Sequence, residues 1–472
     1  MVVYYQKNVW CHLKDLAVNQ LLHNRSIEKA DSKLVAAIRE DLHYMRFIPK
    51  NSGMRPIYPI KKSGISKNEI FKIRLLLSSI TKQFGDGLIG LSARRRTIGD
   101  FWHQYTMTLK ESGSFDSHLY VIKVDVTDAY GSIDQDLLMK IIKKSASKFA
   151  NSIYYRVFSH VNNKGKVSQK KQYILANNQG ELSQTQTKSH LQETDEPVQL
   201  FPHKLIALIR KYISEQYISA GMKRTYRVTR GIAQGGALSA ALCDVYYSAL
   251  YHRHWRALVR PDDLAMHCVD DFVFFTTDKT TALEYLEKSS LGVAEFNCKI
   301  NPKKTIHNVQ DDEVPIRVPF CGITICSATK QILVSAAQVV ACPPRYSMLL
   351  KASSKAGKFV SDKFLMVTLA RLNSMVIHPS YTSPAGLLAN VYRVGIMSGA
   401  RLEALCLTLL VGASTKQFNG RFLGNAIRSS AKKIWRRIAQ SWKKYEDCCP
   451  PVSKESVYLA FMGKLGMYNL FL

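Results

Sequence analysis

Two adjacent aspartates, Asp270 and Asp271, lie inside the apolar run of residues 267–275. An ionised carboxylate is unfavourable in apolar surroundings unless it is paired with a cation or binds a metal. The flanking residues predict two short strands joined by a tight turn, with both acids at the tip. Aspartate is also common in hairpin turns for conformational reasons, so the pair alone does not establish a site.

A third aspartate, Asp125, ends an earlier apolar run at residues 119–125, which predicts another strand. The two runs are far apart in the sequence, so only folding brings their ends together. Three carboxylates at the ends of neighbouring strands can hold two Mg²⁺ ions, because hard cations prefer oxygen ligands. Two such ions, about 3.5–4 Å apart, can clamp the attacking and the leaving oxygen of a phosphoryl transfer. We therefore take the palm of a nucleotide polymerase as the working hypothesis.

The charge of the chain suits a polyanionic partner. Its 472 residues include 66 Lys and Arg against 36 Asp and Glu, a net charge of +30. Such an excess makes nucleic acid the first candidate. A membrane surface would attract the same charge, but no lipid-binding helix stands out, and the apolar run at 405–413 is too short to span a bilayer. A chain of this length predicts two or three domains.

The ten cysteines show no CxxC spacing, and several lie in apolar runs, where cysteine packs as a small hydrophobe. The sequence therefore predicts neither a zinc site nor a disulfide framework. Its first residues lack the charged and then apolar pattern of a signal peptide. We expect a soluble protein of a reducing, intracellular compartment.

The coarse secondary structure is mixed. Residues 1–45 read as helical, and residues 46–60 read as a hairpin because a turn signal separates two apolar runs. Residues 161–200 are polar and predict an insertion or an exposed loop. A glycine-rich turn at 231–236 leads from a strand into a helix. Residues 331–472 read as mainly helical and carry 19 Lys and Arg against 5 Asp and Glu, which suits contact with a duplex backbone.

Five ordered motifs resemble the reverse transcriptase domain of the telomerase catalytic subunit. They lie at residues 4–10, 46–57, 123–130, 190–194 and 269–272. Val269 precedes the double aspartate, as is usual in telomerase, whereas retroelements usually have alanine or methionine there.

The resemblance implies an α+β fold. It would be a right-hand polymerase, with fingers and palm built from an antiparallel sheet and helices, followed by a mainly helical thumb. Residues 1–45 would end an RNA-binding region, and residues 46–330 would form fingers and palm with an insertion at about 155–200. Residues 331–472 would form the C-terminal thumb extension.

The resemblance also assigns the chemistry. Asp125, Asp270 and Asp271 would be the catalytic acids and would hold two Mg²⁺ ions, which are the implied cofactors. Lys304 stands where the family has a lysine that can protonate the departing pyrophosphate. These four residues would form the catalytic group.

Other motif residues would bind the nucleotide and the primer. Lys50 and Arg55 would neutralise the incoming triphosphate, as cationic clamps do in phosphoryl transfer. Tyr130 would lie under the sugar and select deoxynucleotides by excluding a 2′-hydroxyl. Contacts with the nascent base pair would come from Gln234 and Gly235, and the grip on the primer 3′ end from Phe320, Cys321 and Gly322.

The sequence departs from the family pattern at three positions. Asp128 stands where glycine is frequent, Ala233 where proline is frequent, and Gly236 where a small polar or apolar residue is frequent. None of these changes removes a metal ligand. The sequence also begins inside the family's RNA-binding region, so we expect either a partial chain or a shortened protein that lacks the far N-terminal domain and most of the RNA-binding domain.

The expected function is RNA-templated addition of deoxynucleotides to chromosome 3′ ends in the nucleus. Its partners would be a telomerase RNA template, a single-stranded telomeric DNA primer and dNTPs, with no membrane. Two alternatives remain open: a retroelement-type reverse transcriptase and a non-catalytic RNA-binding scaffold. The motif at 4–10 and Val269 disfavour the first, and the retained acids with Lys50, Arg55 and Lys304 disfavour the second.

Overall fold

A computed structural model describes most of the chain. It covers residues 6–31, 43–50, 53–58, 65–85, 95–149, 151–161, 167–175, 191–221, 224–310, 315–335, 356–372, 374–379, 382–411, 420–446 and 450–466. Within these segments, no helix combines the length and the apolar character that crossing a bilayer requires.

The described segments contain both helices and strands. The helices are α1 (Lys7–His23), α2 (Lys67–Lys82), α3 (Arg95–Glu111), α4 (Gln135–Ala146), α5 (Pro202–Ser214), α6 (Ser239–Leu250), α7 (Lys279–Ser290), α8 (Ala356–Arg371), α9 (Ser374–Ile377), α10 (Pro384–Val411), α11 (Gly420–Glu446) and α12 (Lys454–Gly466). The strands are β1 (Ile27–Lys29), β2 (His43–Tyr44), β3 (Arg46–Lys50), β4 (Gly53–Ile57), β5 (Tyr120–Asp125), β6 (Ile153–Val161), β7 (Val167–Leu175), β8 (Leu191–Leu200), β9 (Tyr217–Ser219), β10 (Thr225–Val228), β11 (Leu264–Cys268), β12 (Asp271–Thr276), β13 (Ile306–His307), β14 (Arg317–Phe320), β15 (Ile323–Cys326) and β16 (Ile332–Val334).

The central sheet has the order β11-β12-β5-β13, and every neighbouring pair is antiparallel. Its two faces are both buried, because side chains alternate between faces along each strand. Ile122 and Phe274 pack on α2 and α4–α6, whereas Val121 and Phe275 pack on α3 and the C-terminal helices. Burial on both faces explains why these strands read as continuous apolar runs in the sequence.

The N-terminal part differs from the helical prediction for residues 1–45. Helix α1 ends at His23, and residues 27–29 form β1, which pairs with β10 of the four-stranded sheet β1-β10-β9-β2. Ile27 is buried in this sheet, so its tertiary pairing overrides local helical propensity. The predicted hairpin is confirmed as β3 and β4.

The expectation of an exposed loop at 161–200 is wrong for the described residues. Strands β6–β8 form a three-stranded antiparallel sheet in the order β7-β6-β8. Tyr155 of β6 packs on α2, where its hydroxyl donates to the carbonyl oxygen of Leu75 at 3.1 Å. Lys171 of β7 and Asp195 of β8 form an ion pair across β6 at 2.8 Å. Residues 162–166 and 176–190 of this polar stretch lie outside the described segments. The boundary of the insertion stays a prediction.

The described C-terminal part is mainly helical, as predicted, and includes the small sheet β14-β15-β16. Helix α11 buries one side, which includes Ile427, Ile434 and Ile438, in the same core as α8, α10 and α12. Its opposite side is rich in exposed lysine and arginine. The resulting arrangement places a basic helical region against one face of the central sheet.

Candidate active site

The structure brings the three predicted acids to one end of the central sheet. Strands β12 and β5 pair so that Asp271 lies directly opposite Asp125. Asp270 occupies the turn between β11 and β12, and its carbonyl oxygen accepts a 3.4 Å hydrogen bond from the backbone N–H of Val126. The convergence predicted from the two apolar runs is therefore a feature of the fold.

The environment of Asp270 disfavours its charge. Burial is the main cause that raises the pKa of this carboxyl, and the neighbouring carboxylates of Asp271 and Asp125 raise it further. Asp270 follows Val269, which has a φ of +59°, a conformation that is rare for a β-branched residue. The tip of the hairpin thus concentrates negative charge in a constrained turn.

Two lysines neutralise the other two acids. Lys304 Nζ lies 2.8 Å from Asp125 Oδ2, and Lys123 Nζ lies 3.2 Å from Asp271 Oδ1. No group of three or more His, Cys, Asp or Glu side chains in the described segments is arranged to hold a metal ion. The donor chemistry nevertheless fits Mg²⁺, because three carboxylates lie at one end of the sheet and hard cations prefer oxygen ligands.

Gly231 holds Tyr130 close to this end of the sheet. The backbone N–H of Ile232 donates to the Tyr130 carbonyl oxygen at 2.8 Å. Gly231 has a φ of +73°, and a Cβ added there would lie 2.5 Å from that same oxygen. Burial raises the pKa of Tyr130, and neighbouring groups that include Asp270 add to the shift. Only glycine allows so close an approach of the two backbones.

The β3–β4 hairpin docks on the loop that carries Gln234 and Gly235. The backbone N–H of Tyr58, just after β4, donates to the Gln234 carbonyl oxygen at 2.8 Å. Gly235 has a φ of +102°, and a Cβ there would lie 2.9 Å from Ile57 Cγ2. Two predicted nucleotide-binding elements are therefore in contact.

The structure does not join the predicted triphosphate clamp to the acids. Arg55 is half-buried in β4 and makes no ion pair with another described residue. Lys50 ends β3 opposite Gly53, and its side chain lies outside the described part of the chain. Their predicted contact with a nucleotide stays a prediction.

Local contacts accommodate the three departures from the family pattern. Asp128 has a φ of +48°, a left-handed conformation that aspartate tolerates better than most residues. The backbone N–H of Ala233 donates to Gln216 Oε1 at 2.9 Å, a bond that a proline at this position could not make. A Cβ at Gly236 would overlap the hydroxyl of Tyr212, which accepts from the N–H of Leu238 at 3.3 Å.

The predicted primer-gripping residues adjoin the acids through a cavity of about 600 Å³. Phe320 is buried, whereas Cys321 and Gly322 form the β14–β15 turn with φ values of +46° and +83°. The cavity is lined by this turn, by Asp271 and by residues of α8 and α10. The Cys321 thiol also forms a hydrogen bond with that of Cys268, next to the double-aspartate turn. The fold therefore brings the turn next to Asp271.

Three further residues organise this region, and the motifs did not predict them. They are Lys123, which pairs with Asp271; Gln216, which holds the Ala233 N–H; and Arg74 of α2, whose guanidinium donates to the Ala237 carbonyl oxygen at 2.7 Å. A signal existed only for Lys123, since a lysine inside an apolar strand requires a partner.

His267 lies fully buried on β11, beneath the same hairpin. Its Nε2 is 3.2 Å from Ser248 Oγ, and its ring stacks on Phe272 at 5.0 Å. Burial lowers the pKa of His267 to about 4. Because unfolding returns the imidazole to a pKa of about 6.5, the unfolded state binds a proton first as the pH falls.

We therefore expect His267 to make the protein less stable in acid. Between about pH 7.5 and pH 5, the folded protein should lose about 2 kcal/mol of unfolding free energy through this group. Denaturant unfolding at both pH values should show this loss, and His267→Gln should remove it. The exposed His203 supplies the control, since His203→Gln should leave the pH dependence of stability unchanged. Equal pH dependence in the wild type and His267→Gln would contradict the assignment.

No protein family model matches the chain. The chain is similar to curated relatives. It is 23% identical over 460 residues to the telomerase reverse transcriptase of Takifugu rubripes, and the match covers 89% of this chain and 42% of the relative. It is 24% identical over 452 residues to that of Bos taurus, covering 86% of this chain and 40% of the relative. The chain thus spans about two fifths of the length of these relatives.

Solved structures share the fold. A telomerase from Candida albicans, in complex with a TWJ fragment of telomeric RNA, matches with a TM-score of 0.64 at 17% identity, covering 99% of this chain and 68% of that one. An apo telomerase from Candida tropicalis matches with a TM-score of 0.56 at 16% identity, covering 97% of this chain and 73% of that one. These likenesses extend to the α+β architecture with antiparallel sheets and a helical C-terminal region.

Proposed function

Because the chain is a distant homologue of the telomerase reverse transcriptases, we propose that it is an RNA-directed DNA polymerase of the telomerase type. The observation that carries the proposal is the strand register that sets Asp271 opposite Asp125, with Asp270 at the adjoining turn. In this proposal the central sheet is the palm, the β3–β4 hairpin belongs to the fingers, and residues 331–472 form the thumb. Residues 1–45 end an RNA-binding region.

The three acids are the proposed ligands of two Mg²⁺ ions. Bound Mg²⁺ would supply the positive charge that stabilises the attacking and leaving oxygens of phosphoryl transfer. Asp125 would release Lys304 to hold an ion, whereas Asp271 would keep its contact with the half-buried Lys123. Lys304 is 55% exposed and can swing away from Asp125, which leaves its ammonium ready to protonate the departing pyrophosphate.

The nucleotide site lies between the hairpin and the glycine-rich loop in this proposal. Lys50 and Arg55 flank the tip of the hairpin and neutralise the triphosphate. Gln234 and Gly235, which hold the hairpin through backbone contacts, line the nascent base pair. The backbone of Tyr130 is held by close contact with Gly231, and its side chain lies under the sugar and excludes a 2′-hydroxyl.

The proposed partners are a telomerase RNA template, a single-stranded telomeric DNA primer and dNTPs. The net charge of +30 and the basic side of α11 support contact with phosphate backbones. The β14–β15 turn at Phe320, Cys321 and Gly322 grips the primer 3′ end, next to Asp271 across the shared cavity. The proposed place of action is the nucleus, at chromosome ends.

Primer extension tests the proposal. The full chain is supplied with a short RNA template, a telomere-like DNA primer, dNTPs and Mg²⁺. We expect it to add deoxynucleotides in the order that the RNA template specifies, as read on a sequencing gel. Extension that requires long templates and ignores the primer sequence would favour a retroelement-type enzyme. RNA binding without any extension would favour a non-catalytic scaffold.

A further inference from the structure

Lys123 is a cation in the middle of a sheet. It lies on β5 between Val273 of β12 and Ile306 of β13, its side chain is only 13% exposed, and its ammonium lies 3.2 Å from Asp271 Oδ1. A lysine in such a place is unfavourable unless the ammonium is fully satisfied. An ammonium has three N–H donors, and the described residues supply one acceptor for them, Asp271. Two donors therefore remain for a further anionic partner.

The cavity beside Lys123 has the charge of an anion site. Its described lining includes three cations, Lys123, Arg371 and Arg401, against the single carboxylate of Asp271. Arg401 Nε has no hydrogen-bond partner among the described residues. The turn at Cys321 and Gly322 also lines the cavity. A polyanion that enters this cavity meets Lys123 and Asp271 together.

We propose that Lys123 positions the primer terminus: its ammonium stays on Asp271 and also binds a phosphodiester oxygen near the primer 3′ end. This inference rests on the proposed function, because it takes the occupant of the cavity to be the primer strand of an RNA–DNA hybrid. Lys123 would then fix the distance between the primer terminus and one catalytic carboxylate without taking part in the chemical step.

Binding of a labelled RNA–DNA hybrid, followed by fluorescence anisotropy in EDTA, tests the contact without catalysis. The slope of log K against log salt counts the phosphate contacts that a protein makes. We expect Lys123→Met to weaken binding by about tenfold and to reduce the magnitude of the slope by about 1. Lys123→Arg, which keeps the charge, should retain the wild-type slope. The exposed Lys140 on α4 supplies the matched control, since Lys140→Met should change neither quantity.

A double variant separates phosphate contact from simple neutralisation of Asp271. Lys123→Met leaves Asp271 without its partner, and that carboxylate would repel a nucleic acid by itself. In Lys123→Met/Asp271→Asn both charges are absent, so only loss of a direct phosphate contact can keep the slope reduced. If a thermal melt shows that Lys123→Met is unfolded, the salt slope of the double variant tests the proposal in its place.

The outcomes are distinct. A reduced slope in both Lys123→Met and the double variant supports the proposal. A wild-type slope in Lys123→Met, or its return in the double variant, overturns it while the proposed function stands. A wild-type protein that neither binds the hybrid nor extends a primer overturns both.

Discussion

Replacing Asp270 with asparagine should abolish primer extension, with a loss of rate on the order of 10³-fold or more. Asparagine has nearly the same shape but lacks the charge that the proposed metal ions require. Binding of the RNA template should change little, because the acid contributes no attraction to phosphates. Single-turnover extension and RNA binding, measured on the same preparation, give the two quantities.

The stability of Asp270→Asn sharpens this test. Burial and two neighbouring carboxylates already disfavour the charge of Asp270, so its removal should leave the melting temperature unchanged or higher. Asp262, an exposed acid just before β11, offers the matched control, and Asp262→Asn should extend primers normally. Extension that survives in Asp270→Asn would refute the assignment of the catalytic acids.

Gly231→Ala should strongly destabilise the fold. A Cβ at Gly231 would lie 2.5 Å from the Tyr130 carbonyl oxygen and 2.6 Å from the Cα of Gly131, so two backbones would have to separate. We expect a loss of about 3 kcal/mol or more of unfolding free energy, because steric overlap adds to the left-handed conformation. Denaturant unfolding measures the loss, and extension by the folded fraction should fall as Tyr130 shifts.

Gly113 provides an unusually close control. It has the same φ of +73°, but no atom lies within 4 Å of an added Cβ. Gly113→Ala should therefore show only the conformational effect of about 1–2 kcal/mol. The difference between the two alanine variants isolates the backbone contact with Tyr130. If both variants lost equal stability, that contact would not be tight.

The centre of the fold could be predicted because its physical signals are local. Alternation and apolar runs identify β5, β11 and β12, and an acid at the end of each run indicates which strand ends must meet. The register that sets Asp271 opposite Asp125 does not follow from this pattern, because strands that are apolar on both faces can slip by one residue without exposing an apolar face. The hairpin of β3 and β4 was equally accessible from its turn signal.

Other features depend on partners that the local sequence does not identify. Lys123 could be recognised as needing an acid, but its choice of Asp271 arises only from the pairing of β5 with β12. The hydrogen bond from the Ala233 N–H to the buried Gln216 side chain joins residues that are 17 positions apart in the sequence. Strands β7 and β8 lie in a stretch polar enough to be predicted as a loop, and ion pairs such as Lys171–Asp195 connect their exposed side chains.

The left-handed conformation of Val269 implies that the double-aspartate tip is imposed by the surrounding fold. A β-branched residue at positive φ is disfavoured by about 1–3 kcal/mol, and such a conformation persists only where its neighbours hold it. Val269 is 7% exposed, and its packing in the core stabilises this conformation. An excised hairpin would relax into another turn and disperse its acids. The spacing of Asp125, Asp270 and Asp271 is therefore a property of the assembled tertiary structure.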